Sequence, residues 1–89
     1  MKFEWDESKA RANKAKHRVE FEIVHRFEFG TALIEFDDDL NYGEDRWRAI
    51  GFAGPTVHTV IFTERNDIYR IISVRKATRE EEKRHAVSF

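Results

Sequence analysis

The sequence predicts an α+β fold in which the elements follow the order β-α-α-β-β-β-β-α. Three observations favour this fold class. An Ala- and Lys-rich stretch without Gly or Pro lies near the start, three β-like stretches separated by turn residues fill the second half, and a charged helical stretch closes the chain. Because the strands are joined by short loops, we expect an antiparallel sheet with the helices packed on one face. With 89 residues, the chain is expected to form a single domain over residues 1–89.

The first two elements are a short strand and a helix. The alternation of apolar and polar residues over Phe3–Trp5 is typical of a short edge strand. Asp6 is a favourable N-cap, so the helix is predicted over residues 7–17. We expect Ala12 and Ala15 to form the inner side of this helix, against the N-terminal strand.

A second helix is predicted over about residues 20–29. Phe21, Val24 and Phe27 recur at intervals of three residues, which would place them on one helix face. Gly30 is expected to end this helix.

The remaining elements are four strands and a final helix. Apolar and β-branched residues predict strands over residues 31–36, 46–52, 57–65 and 68–76. Gly54-Pro55 and Asn66-Asp67 are typical turn sequences, and an acidic loop is expected from Asp37 to Asp45. The closing helix is predicted over residues 78–86.

The composition limits the kinds of protein this can be. The chain has no cysteine, which excludes disulfides and thiolate metal sites, and no apolar run approaches the length of a membrane span. Charged residues make up 37% of the chain and the net charge is −1, which argues against a general nucleic-acid coat. A cytoplasmic protein without a signal peptide is therefore expected.

Positive charge is nevertheless concentrated at the two ends of the chain. Residues 1–18 hold six Lys or Arg against three acids, residues 19–64 hold three against ten, and residues 65–89 hold seven against four. If the two ends meet in space, they would form a basic patch on a nearly neutral protein. The alternative is that these charged side chains lie on solvent-exposed faces of helices and form no common patch.

No metal or other cofactor is predicted. The run Asp37-Asp38-Asp39 supplies oxygen ligands of the kind that Mg²⁺ prefers. Three successive carboxylates rarely converge on one ion, so a solvated loop is the favoured interpretation.

Several short motifs occur in an order that is characteristic of one protein family. They are Phe3-Glu4-Trp5-Asp6, Asn13, Lys16-His17, Val19, Phe21, Arg46-Trp47, Gly51, the run from Val60 to Arg65, the run from Arg70 to Ala77, and Glu81. Together they resemble the BrnT toxins of bacterial type II toxin–antitoxin systems over roughly residues 3–85. Three positions depart from the family pattern: Arg18 stands where Gly is usual, Glu20 where Ser often caps a helix, and His85 where a Tyr is expected.

The resemblance implies a fold and an activity. The fold would be similar to that of RelE- and ParE-type toxins, and the activity would be that of a metal-independent ribonuclease that cleaves RNA and blocks translation. The partner would be a BrnA-like antitoxin with a DNA-binding ribbon-helix-helix domain. The toxin would contact operator DNA only through this antitoxin, and no membrane partner is implied.

Arginines are the first candidates for catalysis. An arginine fork matches a phosphate and stays charged, which suits a site that must hold extra negative charge on phosphate. Arg75 is the leading candidate, and it should share the open face of the sheet with Ser73, with Ile72 and Val74 pointing the other way. Arg65 and Arg46 are predicted to join Arg75. The alternative for Arg75 is a structural ion pair with Glu81 or Glu64. Arg70 has the opposite parity to Arg75, so it is expected beside a helix or at the sheet edge and not in the cleft.

Two histidines are candidates for proton transfer. His17 follows Lys16 within the matched motif, but it would serve equally well as a C-terminal helix cap. His85 occupies the position of the expected Tyr, and its alternative is an exposed residue of a charged helix. The predicted RNA-binding residues are Lys16, Arg46, Lys76 and Trp47, although Trp47 could instead pack in the core.

Two other functions remain open from the sequence. One is a toxin of the same fold that binds a protein target without cleaving RNA. The other is a regulatory protein that only binds its antitoxin. Three convergent cations on an open face would favour the ribonuclease, whereas loss of that convergence, with an apolar groove instead, would favour the other two functions.

Overall fold

The computed structural model describes residues 1–37 and 43–88. Within them, five strands form one sheet in the order β1-β5-β4-β3-β2. The strands are β1 (Lys2–Glu4), β2 (Leu33–Asp37), β3 (Arg46–Ala53), β4 (Thr56–Arg65) and β5 (Ile68–Lys76), and the α-helices are α1 (Glu7–His17) and α2 (Arg79–Val87). The α+β class is confirmed, and no described helix is long and apolar enough to cross a membrane.

The hairpins of the second half follow the turn signals in the sequence. Strands β3, β4 and β5 pair antiparallel, and β2 pairs antiparallel with β3. Asn66 and Asp67 both adopt positive φ, at 55° and 65°. Two-residue hairpin turns that match the right-handed twist of the strands require this conformation. Of the predicted acidic loop, residues 38–42 lie outside the described residues, including Asp38 and Asp39 of the magnesium interpretation.

The sheet is mixed, so the expectation of a wholly antiparallel sheet was wrong. Strand β1 is an edge strand, as predicted, but it pairs parallel to β5, with Phe3 opposite Tyr69. After β1, the chain runs on along the same edge of β5, and helix α1 packs against the part of β5 that β1 does not cover. Strand β1 and helix α1 thus follow β5 one after the other, an arrangement that local periodicity does not reveal.

The second predicted α-helix is replaced by two 3₁₀ helices, Phe21–Arg26 and Phe29–Thr31. The spacing of three between Phe21, Val24 and Phe27 matches the 3.0 residues per turn of a 3₁₀ helix better than the 3.6 of an α-helix. Phe27 itself is extended and forms an isolated bridge with Ala53. The order of regular elements is therefore β-α-3₁₀-3₁₀-β-β-β-β-α.

The two faces of the sheet carry different layers. One face packs on the 3₁₀ helices and holds the core, which includes Phe21, Val24, Ala49, Val60, Phe62, Ile71 and Val74. Helix α2 lies on the other face, where Thr59 bonds its residue Glu81. The expectation that all helices share one face was therefore wrong.

A β-bulge in β5 reverses the alternation of its side chains. Val60 pairs with Val74, whereas Phe62 pairs with Ile71, so Ile72 is the extra residue. Ile71 therefore takes the core position that the sequence assigned to Ile72, and it is 1% exposed. Arg70, opposite Thr63, consequently comes to the same face as Arg75, so the opposite parity predicted for it was wrong. Its expected position at the edge is confirmed, because its Nη1 contacts Glu4 of the edge strand β1 at 3.4 Å.

Candidate functional site

The site begins with a buried asparagine that joins α1 to β5. Asn13 Nδ2 donates to the carbonyls of Val74 (2.7 Å) and Val19 (3.0 Å), and Asn13 Oδ1 accepts from the Val74 amide (3.2 Å) and the Ser73 hydroxyl (3.3 Å). The side chain thus uses both of its donors and both acceptor positions. It bonds the two backbone groups of Val74 as a neighbouring strand would, and so holds α1 beside β5 beyond the end of β1.

This attachment places the C-terminal end of α1 beside β5, the strand that carries Arg75. A shallow recess of about 240 Å³ is formed by Lys9, Ala12, Asn13, Lys16, His17, Ile72 and Ser73. Two of the predicted residues, His17 and Lys16, therefore line the same recess as Ser73, which precedes Arg75 by two residues. The predicted inner-side alanines of α1 are both exposed, and Asn13 takes their place.

His17 is half-buried at the end of α1. Burial lowers the pKa of His17 below its usual range, and the positive charges of Lys16 and Arg75 lower it further. The neutral imidazole, which can accept a proton, is therefore favoured near neutral pH. The C-terminal cap of α1 is a backbone bond, from the amide of Arg18 to the carbonyl of Lys14, and Arg18 adopts the left-handed conformation where glycine was expected.

Arg75 forms the ion pair with Glu81 that the sequence left open. Its Nη1 donates to Glu81 Oε1 (2.6 Å), and its Nη2 donates to Glu81 Oε2 (3.0 Å). The hydrogen bonds that Arg75 donates to Glu81 raise the pKa of the arginine. The arginine side chain is 28% exposed, so part of it is open to solvent although its partner is buried.

The ion pair leaves one edge of the guanidinium available. The second N–H of Nη1 donates weakly to the carbonyl of Lys76, at 3.4 Å. Nε–H and the outer N–H of Nη2 have no acceptor within residues 1–37 and 43–88. These two groups lie on the same edge of the guanidinium and form the planar fork that binds a phosphate through two parallel hydrogen bonds.

Glu81 is held as firmly as Arg75. Its Oε1 also accepts from the hydroxyl of Thr59 (3.0 Å) and from the amide of Thr78 (2.9 Å), where it completes the capping box of α2. Burial would raise the pKa of Glu81, but the hydrogen bonds from Arg75, Thr78 and Thr59 lower it to about 2. The carboxylate is therefore charged at all physiological pH values.

The structure does not bring Arg65 and Arg46 to Arg75. Thr59 pairs with Arg75, and Arg65 lies six residues further along β4, so the two arginines are about 20 Å apart. Arg46 is at the same far end of the sheet, since its neighbour Trp47 pairs with Phe62, and its Nη2 contacts Glu44 at 3.4 Å. The three cations share a face but do not converge.

The other predicted residues also lie away from the recess. His85 is buried, not exposed as its alternative supposed: its Nε2 donates to the carbonyl of Thr31 (3.1 Å), and Phe52 contacts it edge to face. Lys76 is exposed and close enough to His58 to lower the pKa of that side chain. Trp47 packs against the core and against Phe36, with ring centroids 5.1 Å apart.

A wider groove lies elsewhere on the molecule. It measures about 790 Å³ and is lined by Phe52, Val57, His85 and other residues of the β3–β4 turn and α2. Neither His17 nor Arg75 lines it. In residues 1–37 and 43–88, no three His, Asp or Glu side chains are grouped in a way that could hold a metal ion.

Sequence reasoning missed the residues that organise this site. Asn13 was noted only as a motif residue, although an asparagine inside an Ala- and Lys-rich helix is a poor helix former whose side chain readily bonds backbone groups. Thr59 was not singled out at all. The hydrogen bond from its hydroxyl to Glu81 cannot be predicted from the local sequence, because the two residues are 22 positions apart.

Comparison with known proteins identifies the family. The sequence profile described as "Ribonuclease toxin, BrnT, of type II toxin-antitoxin system" matches residues 5–81. Among solved structures, the chain is similar to the crystal structure of the Brucella abortus ribonuclease toxin BrnT, with 31% sequence identity and a TM-score of 0.70. The alignment covers 89% of this chain and 99% of the Brucella chain. No curated protein sequence matches the chain significantly.

Proposed function

The chain belongs to the BrnT family of ribonuclease toxins of type II toxin–antitoxin systems, and on this basis we propose that it is itself a metal-independent endoribonuclease that stops translation by cleaving RNA. The observation that carries the proposal is the arrangement around β5. A half-buried His17 lines the same recess as Ser73, two residues before an arginine that keeps a phosphate-shaped fork available.

The proposed reaction uses the 2′-hydroxyl of the RNA as the nucleophile. His17 takes the proton of this hydroxyl, the 2′ oxygen forms a bond to the adjacent phosphorus, and the bond from phosphorus to the 5′ oxygen breaks. The products are a 2′,3′-cyclic phosphate and a 5′-hydroxyl, and solvent in the open recess supplies the proton that the leaving oxygen takes up. Nε and Nη2 of Arg75 hold the phosphate oxygens as charge develops on them.

The remaining predicted residues are assigned to RNA binding and support. Lys16 lines the recess and is proposed to hold the phosphate next to the cleaved one. Arg65, about 20 Å from Arg75, and Arg46, at the same far end of the sheet, are proposed as more distant contacts with the RNA backbone, not as contacts with the reacting phosphate. Lys76, which is exposed and follows Arg75 in β5 but lies away from the recess, is proposed as a further contact with the RNA backbone. Base stacking by Trp47 and proton relay by His85 stay predictions.

A type II family implies an antitoxin partner for this chain. We further propose that the antitoxin is of the BrnA type with a ribbon-helix-helix domain, and that operator DNA is contacted only through it. A cytoplasmic location, one functional domain over residues 1–89, and a relationship to the RelE and ParE folds belong to the same proposal.

Several observations favour a second candidate function. The predicted cations Arg75, Arg65 and Arg46 do not converge, and the groove lined by Phe52, Val57 and His85 is wider than the recess beside His17. The bidentate ion pair of Arg75 with Glu81 would also suit a purely structural arginine. In that case the chain would be a non-cleaving toxin with a protein target, or a regulatory protein that acts only by binding its antitoxin.

The test is RNA cleavage by purified, antitoxin-free protein in the presence of EDTA. The wild type is expected to cut RNA, and His17→Ala is expected to lose roughly 10²- to 10⁴-fold in rate because it lacks the proton acceptor. Arg75→Ala should lose activity as well, whereas Arg79→Ala, which removes an exposed arginine of α2, serves as the matched control. Intact RNA after incubation with the wild type would rule out the ribonuclease, and equal cleavage by Arg75→Ala would rule out this site.

A further inference from the structure

Glu81 is more deeply buried, and accepts more hydrogen bonds, than pairing with a partly exposed arginine would require. The side chain is only 8% exposed, and its two oxygens accept four hydrogen bonds, two from Arg75, one from Thr59 and one from the amide of Thr78. Burying a carboxylate is costly unless such partners compensate it. An exposed acid would neutralise Arg75 without that cost.

The partners of Glu81 come from two different layers. Thr59 lies on β4, is 0% exposed, and donates its hydroxyl to Oε1 from within the sheet. Thr78 supplies its amide from the first turn of α2, and its own hydroxyl accepts from the Glu81 amide at 3.1 Å. The plane of the carboxylate is therefore fixed by the sheet and by the helix at once.

The plane of the carboxylate determines the plane of the guanidinium, because two parallel hydrogen bonds join them. We propose that Glu81, held by Thr59 and by the first turn of α2, is a positioning residue that orients Arg75 so that Nε–H and the outer Nη2–H face the RNA phosphate. This inference rests on the proposed ribonuclease function. It also gives α2 a role in the reaction, since the helix carries the residue that aims the arginine without touching RNA itself.

The inference is tested with Glu81→Gln, Thr59→Val and the control Glu82→Gln in the full chain. The control removes the same charge from an exposed neighbour in the same helix. Steady-state cleavage of a short RNA gives kcat and KM, and a 2′-deoxy-substituted RNA of the same sequence gives the binding affinity. Arg75→Ala is measured beside them. The ¹⁵N NMR signal of Arg75 Nε reports directly on the order of the guanidinium.

Misorientation should lower kcat more than affinity, because the positive charge remains but its direction is lost. We expect Glu81→Gln to lose roughly 10²-fold in kcat, as a misplaced catalytic group does. Thr59→Val, which removes one hydrogen bond to Oε1, should lose roughly two- to tenfold. The affinity for deoxy-substituted RNA should change less than kcat, the Nε proton should exchange faster with water in Glu81→Gln, and Glu82→Gln should match the wild type.

The possible failures are distinguishable. If Arg75→Ala cuts as fast as the wild type, the proposed site fails and the inference with it. If Arg75→Ala is inactive but Glu81→Gln keeps wild-type kcat, the ribonuclease site stands and only the positioning role is rejected. Should Glu81→Gln fail to fold, Thr59→Val decides alone, since valine keeps the shape of the buried side chain. A wild-type kcat for Thr59→Val would then overturn the inference.

Discussion

Replacing Asn13 with alanine should destabilise the protein strongly. The change removes the partners of the Val74 amide, of the Val74 carbonyl and of the Val19 carbonyl, all of which lie at buried residues. A buried polar group left without a partner costs about 1–3 kcal/mol, although local shifts and entering water reduce the sum. Alanine returns about 0.7 kcal/mol through its higher helix propensity. We therefore expect the free energy of unfolding to fall by about 3 kcal/mol, a large part of the roughly 5–15 kcal/mol typical of a domain.

The measurement is urea unfolding followed by tryptophan fluorescence. Arg11→Ala is the matched control, since it changes an exposed residue of the same helix whose side chain makes no hydrogen bond within residues 1–37 and 43–88. Asn13→Asp is expected to be at least as damaging as Asn13→Ala, because a carboxylate would face two carbonyl oxygens where the amide now donates. Hydrogen exchange of the Val74 amide should accelerate in both variants. A loss below about 1 kcal/mol for Asn13→Ala, with unchanged Val74 exchange, would refute the edge-pairing role of this side chain.

Three further outcomes follow from the packing and charge of the fold. Burial lowers the pKa of His58 in the folded state, although its bond to the Thr56 carbonyl opposes this, so the unfolded state binds more protons below its ordinary pKa. The free energy of unfolding should therefore decrease between pH 7.5 and pH 5.5, and a His58→Asn variant should show a shallower decrease in urea titrations. Glu81 has its pKa lowered to about 2 from 4.5, so its contribution, up to about 3 kcal/mol, is complete above pH 4.5 and is lost as the pH falls towards 2. Acid unfolding of Glu81→Gln should lack this component, and an acid limb identical to that of the wild type would contradict the assignment. Gly51→Ala should lower the free energy of unfolding by about 1–3 kcal/mol, because the added Cβ would lie 3.0 Å from Ala32 Cβ and 3.1 Å from Phe27 Cζ. Thermal unfolding measures this loss. An unchanged melting temperature would show that the neighbouring side chains shift without cost.

The sequence by itself determined the elements whose signals are local. Helix α1 begins after Asp6 because a side chain there accepts from two amides of the first turn, at 2.7 and 3.2 Å. The β4–β5 hairpin follows from Asn66-Asp67, and β5 spans the predicted residues 68–76. In each of these cases the interactions that decide the structure join residues only a few positions apart. The family, too, could be identified from short motifs in order, and the profile match over residues 5–81 confirms it.

The tertiary structure alone decided where those elements meet. Asn13 bonds Val74 across 61 positions of the chain, and Thr59 bonds Glu81 across 22. The bulge at Ile72 moves Arg70 to the face of Arg75, and the register of β4 keeps Arg65 far from it. Periodicity describes one element at a time and assumes that alternation is unbroken, so it predicted three converging arginines. The structure instead pairs one arginine with a buried glutamate of α2 and places the end of α1, with His17, beside the same strand, because pairing register and helix docking depend on contacts that no local segment contains.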